Sequence, residues 1–581
     1  MEKNFFLLLS LIKILLITTK TIITNDLQNS LSQAEPGDII ELSSGAYSQS
    51  PYKFSKSGAA ENPIIIKPQS GASIKFTGSN LGCIFELNGI SYVNIQGNME
   101  LSNAKCGIKV SDSNNIIIKG LNIYNINQEA IIASGDNIDV SENEIYNCVS
   151  DSKNQGKNLN KGINQCITTL RKNQNKDFST NITFSNNNIH DGYGEGIKFS
   201  YCDGCSAIGN TIINTLSMNI YLYSSKNLLI ERNIIKVTNQ NYNSKYGKAV
   251  GIGLSSDSEN DIENIEIQNN IIVGCRIGIY FFITGTGTYK SVKIYHNTIW
   301  MVDITPIWFA EPINKPSNSE LYNNLIYHNK QSQLYPKSVW GIGYNFFYNS
   351  DKVPTQYSDS GNDKGTSRAT TEMDLSKIFN SQNGKCDYNN ANINITCFRP
   401  NSSPDNDNIN LSHRGKKIRE QGKDLEGCKR DNQPSIGAFE FSDGCKTEPE
   451  PTDPPESDTD IPDIEYDVKF VINYQTKNSQ IIKMVGTFCK WNNNPQDCFS
   501  LSNIGNWNWA YTLKDGISQT FYYKFVTANG NALDRWESNP NRYFNGKKLL
   551  ELTKTSKSDV YNDCNYQLKE NLITLNCSWK E

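Results

Sequence analysis

The chain has no excess of charge of either sign, and beyond its first residues it has no long apolar run. Its 581 residues include 56 Lys and Arg against 60 Asp and Glu, so the formal net charge is only −4. A protein that binds nucleic acid non-specifically presents a strongly basic surface, which this composition does not supply. No later segment is apolar enough over ~20 residues to cross a bilayer. We therefore expect neither a nucleic-acid partner nor a stable membrane span.

The one short apolar run lies at the N-terminus, where a charged start is followed by residues 5–17. This pattern is typical of a secretory signal peptide, which we assign to residues 1–24. A membrane anchor is the alternative, although the run is short for a span and Lys13 interrupts it. The sequence thus predicts a secreted, extracellular protein.

Cysteines and glycosylation motifs agree with secretion. The chain has 15 cysteines, as expected in an oxidising compartment, and the odd number leaves at least one without an intrachain partner. Cys202 and Cys205 have the spacing of a redox motif, but the basic, helical setting that activates a thiolate is missing, which favours a structural role. Acceptor motifs for N-glycosylation occur at Asn181, Asn394, Asn401, Asn410 and Asn576.

Internal repetition predicts the fold of the larger part of the chain. An apolar pair, a polar turn and a second alternating strand recur, each time followed by Asn, any residue and Ile, as in "GIKFSYCDGCSAIGNTI" and "NIYLYSSKNLLIERNII". The repeated asparagines are separated by 44, 23, 23, 37, 27 and 27 residues, which indicates coils of about two dozen residues with loop insertions. They are Asn143, Asn187, Asn210, Asn233, Asn270, Asn297 and Asn324.

One such coil cannot bury its own apolar face, but stacked coils form a continuous core. An asparagine repeated at one turn position can then bond the turns above and below it. These repeats resemble the right-handed parallel β-helix proteins of the pectate-lyase-like superfamily, and "PGDIIELSSGAY" resembles their N-terminal entry. The resemblance covers roughly residues 25–441, and we assign 25–445 to this β-helix. It implies a fold and little about activity, because the superfamily includes enzymes and non-enzymes.

A break in composition follows the repeats. Residues 446–465 are rich in proline and acidic residues, cannot bury apolar surface and are predicted to form an extended linker. Strand signals return in residues 466–581, as short runs bounded by turn residues, which favours an immunoglobulin-like β-sandwich. The predicted fold class of the whole chain is therefore all-β.

The segment "FYYKFVTANGNALDRWESNPNRYF" resembles the family-20 carbohydrate-binding modules, which are starch-binding domains. The resemblance implies a sugar site at Trp491, Lys524, Trp536 and Asn541. The chemistry is consistent, since indole rings stack on the apolar faces of glucose while Lys and Asn bond its hydroxyl groups. Starch or another α-glucan is therefore the expected partner.

Enzyme signatures of the superfamily are absent from the β-helix repeats. The chain has no Asn-Thr-Asp, paired Asp-Asp, Gly-His-Gly or Arg-Ile-Lys motif of the polygalacturonase-like hydrolases. In "GEGIKFS", Glu195 and Lys198 do not have the Glu–Lys-Ser spacing of the alginate-lyase-like enzymes. Whether the β-helix is catalytic, as a lyase or a glycoside hydrolase, stays open at this point.

Strand alternation nevertheless predicts a site. If the first isoleucine of each repeat points inward, the next residue points outward, and Lys198, Tyr221, Tyr280 and Trp308 form a basic and aromatic strip along coils ~4.8 Å apart. Near one end of this strip lie His190, Asp191 and Glu195. Asp191 and Glu195 could act as a carboxylate pair for hydrolysis. Lys198 or His190 could instead serve as a base for elimination.

Two functions remain open from sequence. The first is a secreted carbohydrate-active enzyme whose β-helix cuts a polysaccharide while the module holds α-glucan. The second is a non-catalytic surface or adhesion protein that binds glycans and uses the β-helix as a rigid spacer. Elimination requires a uronic acid, which starch lacks, so a lyase would act on a second polysaccharide. No cofactor is predicted and no metal ligands are assigned, although Ca²⁺ is possible.

Overall fold

The computed structural model divides the chain into two compact units, residues 1–450 and 451–581. In the first unit, the structure describes residues 20–151, 164–173, 177–238, 249–256, 260–283, 287–309, 318–327, 340–348, 367–369, 379, 386–388, 390–400, 411, 416–418, 423–430 and 434–440. In the second unit it describes residues 467–473, 481–486, 499–505, 508–513, 520–529, 532–536, 542–545, 564–569 and 572–578.

The first unit is a parallel β-helix with three faces, each built from one strand per coil. Faces 1 and 2 belong to one 22-stranded sheet, because Cys106–Lys119 and Ile131–Ser141 run through both; face 3 is a separate 13-stranded sheet. Face 1 also contains Tyr52–Lys53, Cys83–Asn88, Gln165–Thr169, Glu195–Ser200, Met218–Tyr223, Val250–Ser256, Ile277–Ile283 and Thr305–Phe309.

Faces 2 and 3 complete each coil. The other strands of face 2 are Thr21–Thr24, Ile39–Leu42, Ile64–Pro68, Ser91–Gln96, Ser179–Ser185, Cys202–Asp203, Ser206–Ile208, Lys226–Glu231, Ile262–Gln268, Tyr289–Tyr295, Ser319–Tyr322 and Trp340–Gly343. Face 3 consists of Gly45–Tyr47, Ile74–Thr77, Met99–Ala104, Asn122–Ile126, Glu144–Tyr146, Asn188–Gly192, Thr211–Thr215, Ile234–Lys236, Ile271–Val273, Thr298–Trp300, Leu325–Tyr327, Phe346–Tyr348 and Ser367–Ala369.

The core is a stack of apolar side chains that repeat from coil to coil. The first isoleucines predicted to point inward are fully buried, and Ile167 joins the same row. Ile167 belongs to the 44-residue coil, in which long connections precede and follow the face 1 strand Gln165–Thr169. The inward row is Ile108, Ile131, Ile167, Ile197, Ile220, Ile252, Ile279 and Ile307.

Corners with a left-handed backbone explain the abundance of asparagine. Near the end of face 3, Asn125, Asp191 and Asn214 have φ values of 53°, 53° and 57°. Before face 2, Asn137 and Asn227 both have φ of 54°. Apart from Gly, Asn and Asp tolerate this conformation best, because their short polar side chains bond locally. The composition is thus a direct result of turning a corner several times per coil.

An asparagine ladder runs along the corner between faces 2 and 3. The backbone N–H and the side-chain Nδ2 of each member donate to Oδ1 of the member on the next coil; for Asn210 and Asn233 both distances are 3.0 Å. All seven predicted members are confirmed, and Asn345 extends the ladder by one. Each buried bond of this kind contributes about 1 kcal/mol net, but leaving its partner unpaired costs more.

The first described residues already belong to the β-helix. Thr21–Thr24, which we assigned to the signal peptide, pairs in parallel with Ile39–Leu42. A cleavage site ahead of Thr21 would retain this strand; residues 1–19 lie outside the described part. The helix Leu27–Gln33 follows, begins at Asp26, whose carboxylate accepts from the N–H of Asn29, and buries Leu27 and Leu31. Among the described residues, no helix is long and apolar enough to cross a membrane.

The C-terminal part of the first unit packs back onto the ladder corner through a buried ion pair. Arg430 and Glu440 are both fully buried and lie 3.0 Å apart. Arg430 also donates to Oδ1 of Asn269 and to the carbonyl of Gly437, while Glu440 accepts from the N–H and hydroxyl of Ser435. The short 3₁₀-helix Ile395–Phe398 precedes this segment.

Disulfides link neighbouring parts of the β-helix. The described pairs are Cys83–Cys106, Cys148–Cys166, Cys202–Cys205 and Cys386–Cys397, and Cys275 is a buried free thiol. Cys202 and Cys205, which have the spacing of a redox motif, are bonded to each other. Burial also raises the pKa of the Cys275 thiol, which keeps it protonated and unreactive.

The described strands of the second unit form two five-stranded sheets. One contains Ser502–Gly505, Asn508–Leu513, Asp467–Asn473, Leu572–Ser578 and Cys564–Lys569. The other contains Phe499–Ser500, Ile481–Gly486, Thr520–Asn529, Ala532–Trp536 and Arg542–Asn545. All pairings are antiparallel except that of Asp467–Asn473 with Leu572–Ser578. The unit is all-β, as expected from its short strand signals.

Candidate active site on face 1

Two columns of side chains run along the outer surface of face 1. The middle column follows the inward isoleucines by one residue, and strand register aligns its members from coil to coil. It brings Lys198, Tyr221, Tyr280 and Trp308 into one line, as predicted from alternation, with Gly253 between the two tyrosines. The whole column is Lys109, Ile132, Thr168, Lys198, Tyr221, Gly253, Tyr280 and Trp308.

A second column, the entry column, precedes the same isoleucines by two residues. Met218, Val250 and Ile277 of this column pack against Tyr221 and Tyr280 of the middle column, outside the main core. The entry column therefore also lies on the outer surface. Its members are Glu129, Gln165, Glu195, Met218, Val250, Ile277 and Thr305.

Glycines between the two columns explain this geometry. A Cβ on Gly196 would collide with the carbonyl oxygen of Asn219, and one on Gly251 with that of Gly278. At these two glycines the neighbouring coil approaches so closely that a Cβ would not fit. Val250 and Ile252, which are two positions apart, pack in different clusters, the first with the outer tyrosines and the second in the main core.

Glu195 and Lys198 lie next to each other where the polar part of the two columns meets the aromatic part. Oε2 of Glu195 lies 3.9 Å from Nζ of Lys198, and the two side chains are 7% and 20% exposed. Oε2 is buried without a hydrogen-bond partner, although the Gln165 side chain bonds to the carboxyl group. Burial raises the pKa of Glu195 to about 7, against the opposing effects of Lys198 and Gln165. This carboxyl group can therefore hold or release a proton near neutral pH.

The aromatic end of the columns is packed rather than open. Tyr221 and Tyr280 are only 7% and 8% exposed. Tyr280 contacts Phe282 and Trp308 at ring-centroid distances of 4.8 and 5.3 Å. Met218 occupies the space over Gly253. Of the three predicted aromatic residues, Trp308 alone keeps a partly exposed side chain, so a sugar would first meet that ring.

Lys198 connects the polar and aromatic ends. Its Nζ lies 4.9 Å from the ring centroid of Tyr221 and 5.4 Å from that of Tyr223. Burial raises the pKa of the Tyr221 hydroxyl, and the nearby Glu195 raises it further. Tyr221 therefore stays protonated and can donate a hydrogen bond.

Asp191 lies on a different face from Glu195. It belongs to the face 3 strand Asn188–Gly192, at the corner position that asparagine holds in other coils, and its side chain is 46% exposed. Its carboxylate lies 2.9 Å from Nδ1 of His190, whose ring stacks on Tyr146. The predicted carboxylates Asp191 and Glu195 thus occupy separate surroundings, and the Asp191 position is explained by the turn.

The described residues offer one cluster with metal-ligand chemistry, Asp424, Glu426 and Cys428. Its groups are already occupied. The Asp424 carboxylate accepts the N–H groups of Glu426, Cys428 and Glu440, the Glu426 carboxylate pairs with Arg399, and Cys428 is disulfide-bonded. This cluster stabilises a turn and does not suit Ca²⁺, which requires several free oxygen ligands.

The predicted starch-binding residues are described only in part. Lys524 lies in strand Thr520–Asn529 and Trp536 ends strand Ala532–Trp536, with backbone positions alone described. Trp491 and Asn541 lie outside the described residues. Trp509, in strand Asn508–Leu513, is 6% exposed.

Sequence reasoning missed Glu129, Gln165 and Thr168. Glu129 precedes Ile131 by two residues, as Gln165 and Glu195 precede Ile167 and Ile197. Burial raises the pKa of Glu129, while Lys105 and Lys198 lower it. The sequence segments "QEAII", "QCITT" and "GEGIKF" each have Glu or Gln two residues before the inward isoleucine. They can be aligned once the 44-residue repeat is recognised as a single coil.

A family model described as "Right handed beta helix region" matches residues 173–299. A comparison with curated proteins by sequence found no match. The chain is similar in structure to an alginate lyase from Paenibacillus sp. str. FPU-7, with 17% identity, a TM-score of 0.40 and coverage of 52% of this chain and 99% of that one.

It is also similar to pectate lyase Pel9A, with 15% identity, a TM-score of 0.39 and coverage of 73% and 97%. A third similar structure is PfbA, a surface adhesin of Streptococcus pneumoniae, with 12% identity, a TM-score of 0.41 and coverage of 56% and 82%. The family match and the parallel register identify the first unit as a right-handed parallel β-helix, which confirms the fold predicted from the repeats.

Proposed function

We propose that the protein is a secreted glycoside hydrolase that acts on a polysaccharide at face 1 and binds α-glucan through its second unit. The observation that carries this proposal is Glu195, a buried carboxyl group with an unpartnered oxygen and a pKa raised to about 7. Such a group can protonate the oxygen of a glycosidic bond as that bond breaks. Hydrolysis of this kind needs no uronic acid, so it is compatible with starch.

The surroundings of Glu195 support a role in acid–base chemistry. Gln165 orients the carboxyl group, and Lys198 supplies a positive charge 3.9 Å away. Trp308, with its partly exposed ring, lies four coils further along face 1 and offers a stacking surface for a chain that runs along the β-helix. A polysaccharide laid along face 1 would therefore meet an acid–base group and a stacking platform in succession.

Activity is tested with the full-length protein on soluble starch, pullulan, polygalacturonate and alginate. New reducing ends without absorbance from unsaturated uronates indicate hydrolysis. Glu195→Gln should lower the rate by about 10²–10⁴-fold, the usual contribution of a general acid. Glu231→Gln is the matched control, because Glu231 is also a buried carboxyl group with a raised pKa but lies on face 2. Equal rates for Glu195→Gln and wild type would reject the site. Unsaturated products would show that the reaction is elimination and not hydrolysis.

Glucan binding is tested by sedimentation of the full-length protein with insoluble starch. We propose that Trp491 and Trp536 stack on glucose rings while Lys524 and Asn541 bond hydroxyl groups, as the resemblance to starch-binding domains implies. Trp536→Ala should abolish co-sedimentation, whereas Trp579→Ala, a tryptophan with no counterpart in that site, should leave it unchanged. Co-sedimentation that survives Trp536→Ala would reject this assignment.

A non-catalytic adhesion protein is the second candidate. The close packing of Tyr221, Phe282 and Tyr280 on face 1 favours it, because rings that cover one another are unavailable to sugar. Starch binding without cleavage of any of the four polymers would support this candidate over the hydrolase.

A further inference from the structure

The entry column holds a second carboxyl group that the predicted site did not include. Glu129 precedes Ile131 by two residues, as Glu195 precedes Ile197, and the two aligned isoleucines lie two coils apart with Ile167 and Gln165 on the coil between them. Coils repeat every ~4.8 Å, so the two backbones are ~9.6 Å apart along the β-helix axis. Lys198 acts electrostatically on both carboxyl groups, which places both within reach of one cation.

This spacing has a chemical meaning. Inverting glycosidases hold their two carboxyl groups ~6.5–9.5 Å apart, which leaves room for a water molecule, whereas retaining enzymes hold them ~5–5.5 Å apart. Two coils correspond to the wider arrangement; carboxyl groups on adjacent coils would correspond to the narrower one, and that coil carries the amide Gln165 instead. Oε2 of Glu195 is buried and accepts no hydrogen bond, so it is available to bond a substrate at the same place.

We propose that Glu129 is the catalytic base of the face 1 site and that the protein hydrolyses its substrate with inversion at the anomeric carbon. This inference rests on the proposed hydrolase function. As Glu195 gives its proton to the glycosidic oxygen, the bond from that oxygen to the anomeric carbon breaks. A water molecule on the opposite side of the sugar forms the new bond to that carbon and gives a proton to Glu129. The reaction consumes one water molecule, and proton exchange with solvent restores both carboxyl groups.

The environments of the two carboxyl groups agree with these roles. Glu195 is almost fully buried, while Glu129 is partly exposed; burial raises the pKa of Glu129 as well, but two lysines, Lys105 and Lys198, oppose that rise. Glu129 is therefore the group that more readily stays ionised, as a base requires, and Glu195 the one that keeps its proton.

The test uses the polymer that the wild-type protein cleaves among soluble starch, pullulan, polygalacturonate and alginate. Proton NMR of the first products should show the anomeric configuration opposite to that of the cleaved bond. Glu129→Gln should lower kcat/KM by about 10²–10⁴-fold and remove the acidic limb of its pH profile, while Glu195→Gln should remove the alkaline limb. A purely structural role of Glu129 would lower activity without removing a limb. Glu144→Gln, on face 3, is the matched control.

The outcomes separate the two proposals. Products with retained configuration, or a Glu129→Gln variant as active as the control, would overturn the inference while the hydrolase function stands. Cleavage of none of the four polymers by wild type would overturn both. If Glu129→Gln does not fold, retained configuration in the wild-type products would still overturn the inference without any variant.

Discussion

Two ion pairs among the described residues of the β-helix differ in burial and in how fully their atoms are bonded. In the C-terminal closure, Arg430 donates to three different residues besides Glu440, and both oxygens of Glu440 accept hydrogen bonds. On face 1, Glu195 and Lys198 are 3.9 Å apart and Oε2 of Glu195 has no hydrogen-bond partner. A buried charge that is fully bonded serves the fold, whereas one left unpartnered costs stability and is retained for another reason.

Breaking the fully bonded pair should have the largest effect. Arg430→Met leaves Glu440 buried without its cation and should lower the free energy of unfolding by about 3–5 kcal/mol, the usual cost of removing one partner of a buried pair. Urea denaturation measures the change. Lys429→Met, at an exposed neighbouring position, serves as the control. A loss below about 1 kcal/mol would show that this pair is no more important than a surface pair.

Neutralising the incompletely bonded pair should have the opposite sign. Below pH 4.5 both folded and unfolded Glu195 are protonated and its full contribution to stability is present; this contribution is lost as pH rises through the folded pKa of about 7. Glu195→Gln stays neutral, so it should stabilise the protein by up to about 3 kcal/mol at pH 8 and by under about 1 kcal/mol at pH 4. Urea denaturation at the two pH values measures this, and a pH-independent difference would contradict it.

Removing the cation from face 1 should have a smaller effect. Lys198 lowers the pKa of Glu195, so Lys198→Met should move that pKa further upward and shift the alkaline limb of activity to higher pH. The titration of Glu195 can be followed by carbon NMR of its carboxyl group. Lys109→Met, in the same column three coils earlier, should leave the titration unchanged.

Breaking an exposed ion pair should have the smallest effect on the free energy of unfolding. Lys226 and Asp203 are 3.3 Å apart on face 2, with side chains 44% and 30% exposed. Water and salt screen such a pair, so Lys226→Met should change the free energy of unfolding by less than about 1 kcal/mol. A larger loss would mean that distance alone, rather than burial and bonding, ranks the ion pairs of this protein.

The repeating part of the fold could be predicted from sequence because each structural position recurs in every coil, so the pattern can be checked several times along the chain. The inward isoleucines and seven ladder asparagines recur at matching positions, so a chance match at any one matters little. Asn345 was not recognised as a ladder member because its coil has "GYNFF" where the others have Asn, any residue and Ile. The closure through Arg430 and Glu440 occurs once and depends on contacts with Asn269, distant in sequence, which no period reveals.

The candidate site could be predicted only in part for a similar reason. Alternation placed Lys198, Tyr221, Tyr280 and Trp308 in one line, but it gives no information on whether rings in a line cover one another. It also favoured Asp191, because a carboxylate four residues from Glu195 looks like a neighbour. The corner between faces 3 and 1 separates them, and only the coil-to-coil register reveals Glu129 as the carboxylate in line with Glu195.

The stacking of coils also fixes the distances between side chains along face 1. Groups in one column can be separated only by whole multiples of ~4.8 Å, so Glu129 lies two coils before Glu195 in the entry column, and Tyr280 lies three coils after Lys198 in the middle column. An evolutionary change that inserts or deletes a coil would lengthen or shorten these separations by a full step while each neighbouring coil keeps its own contacts. Divergent relatives of this chain would then differ in the spacing of their face 1 groups by integer steps, rather than by gradual drift.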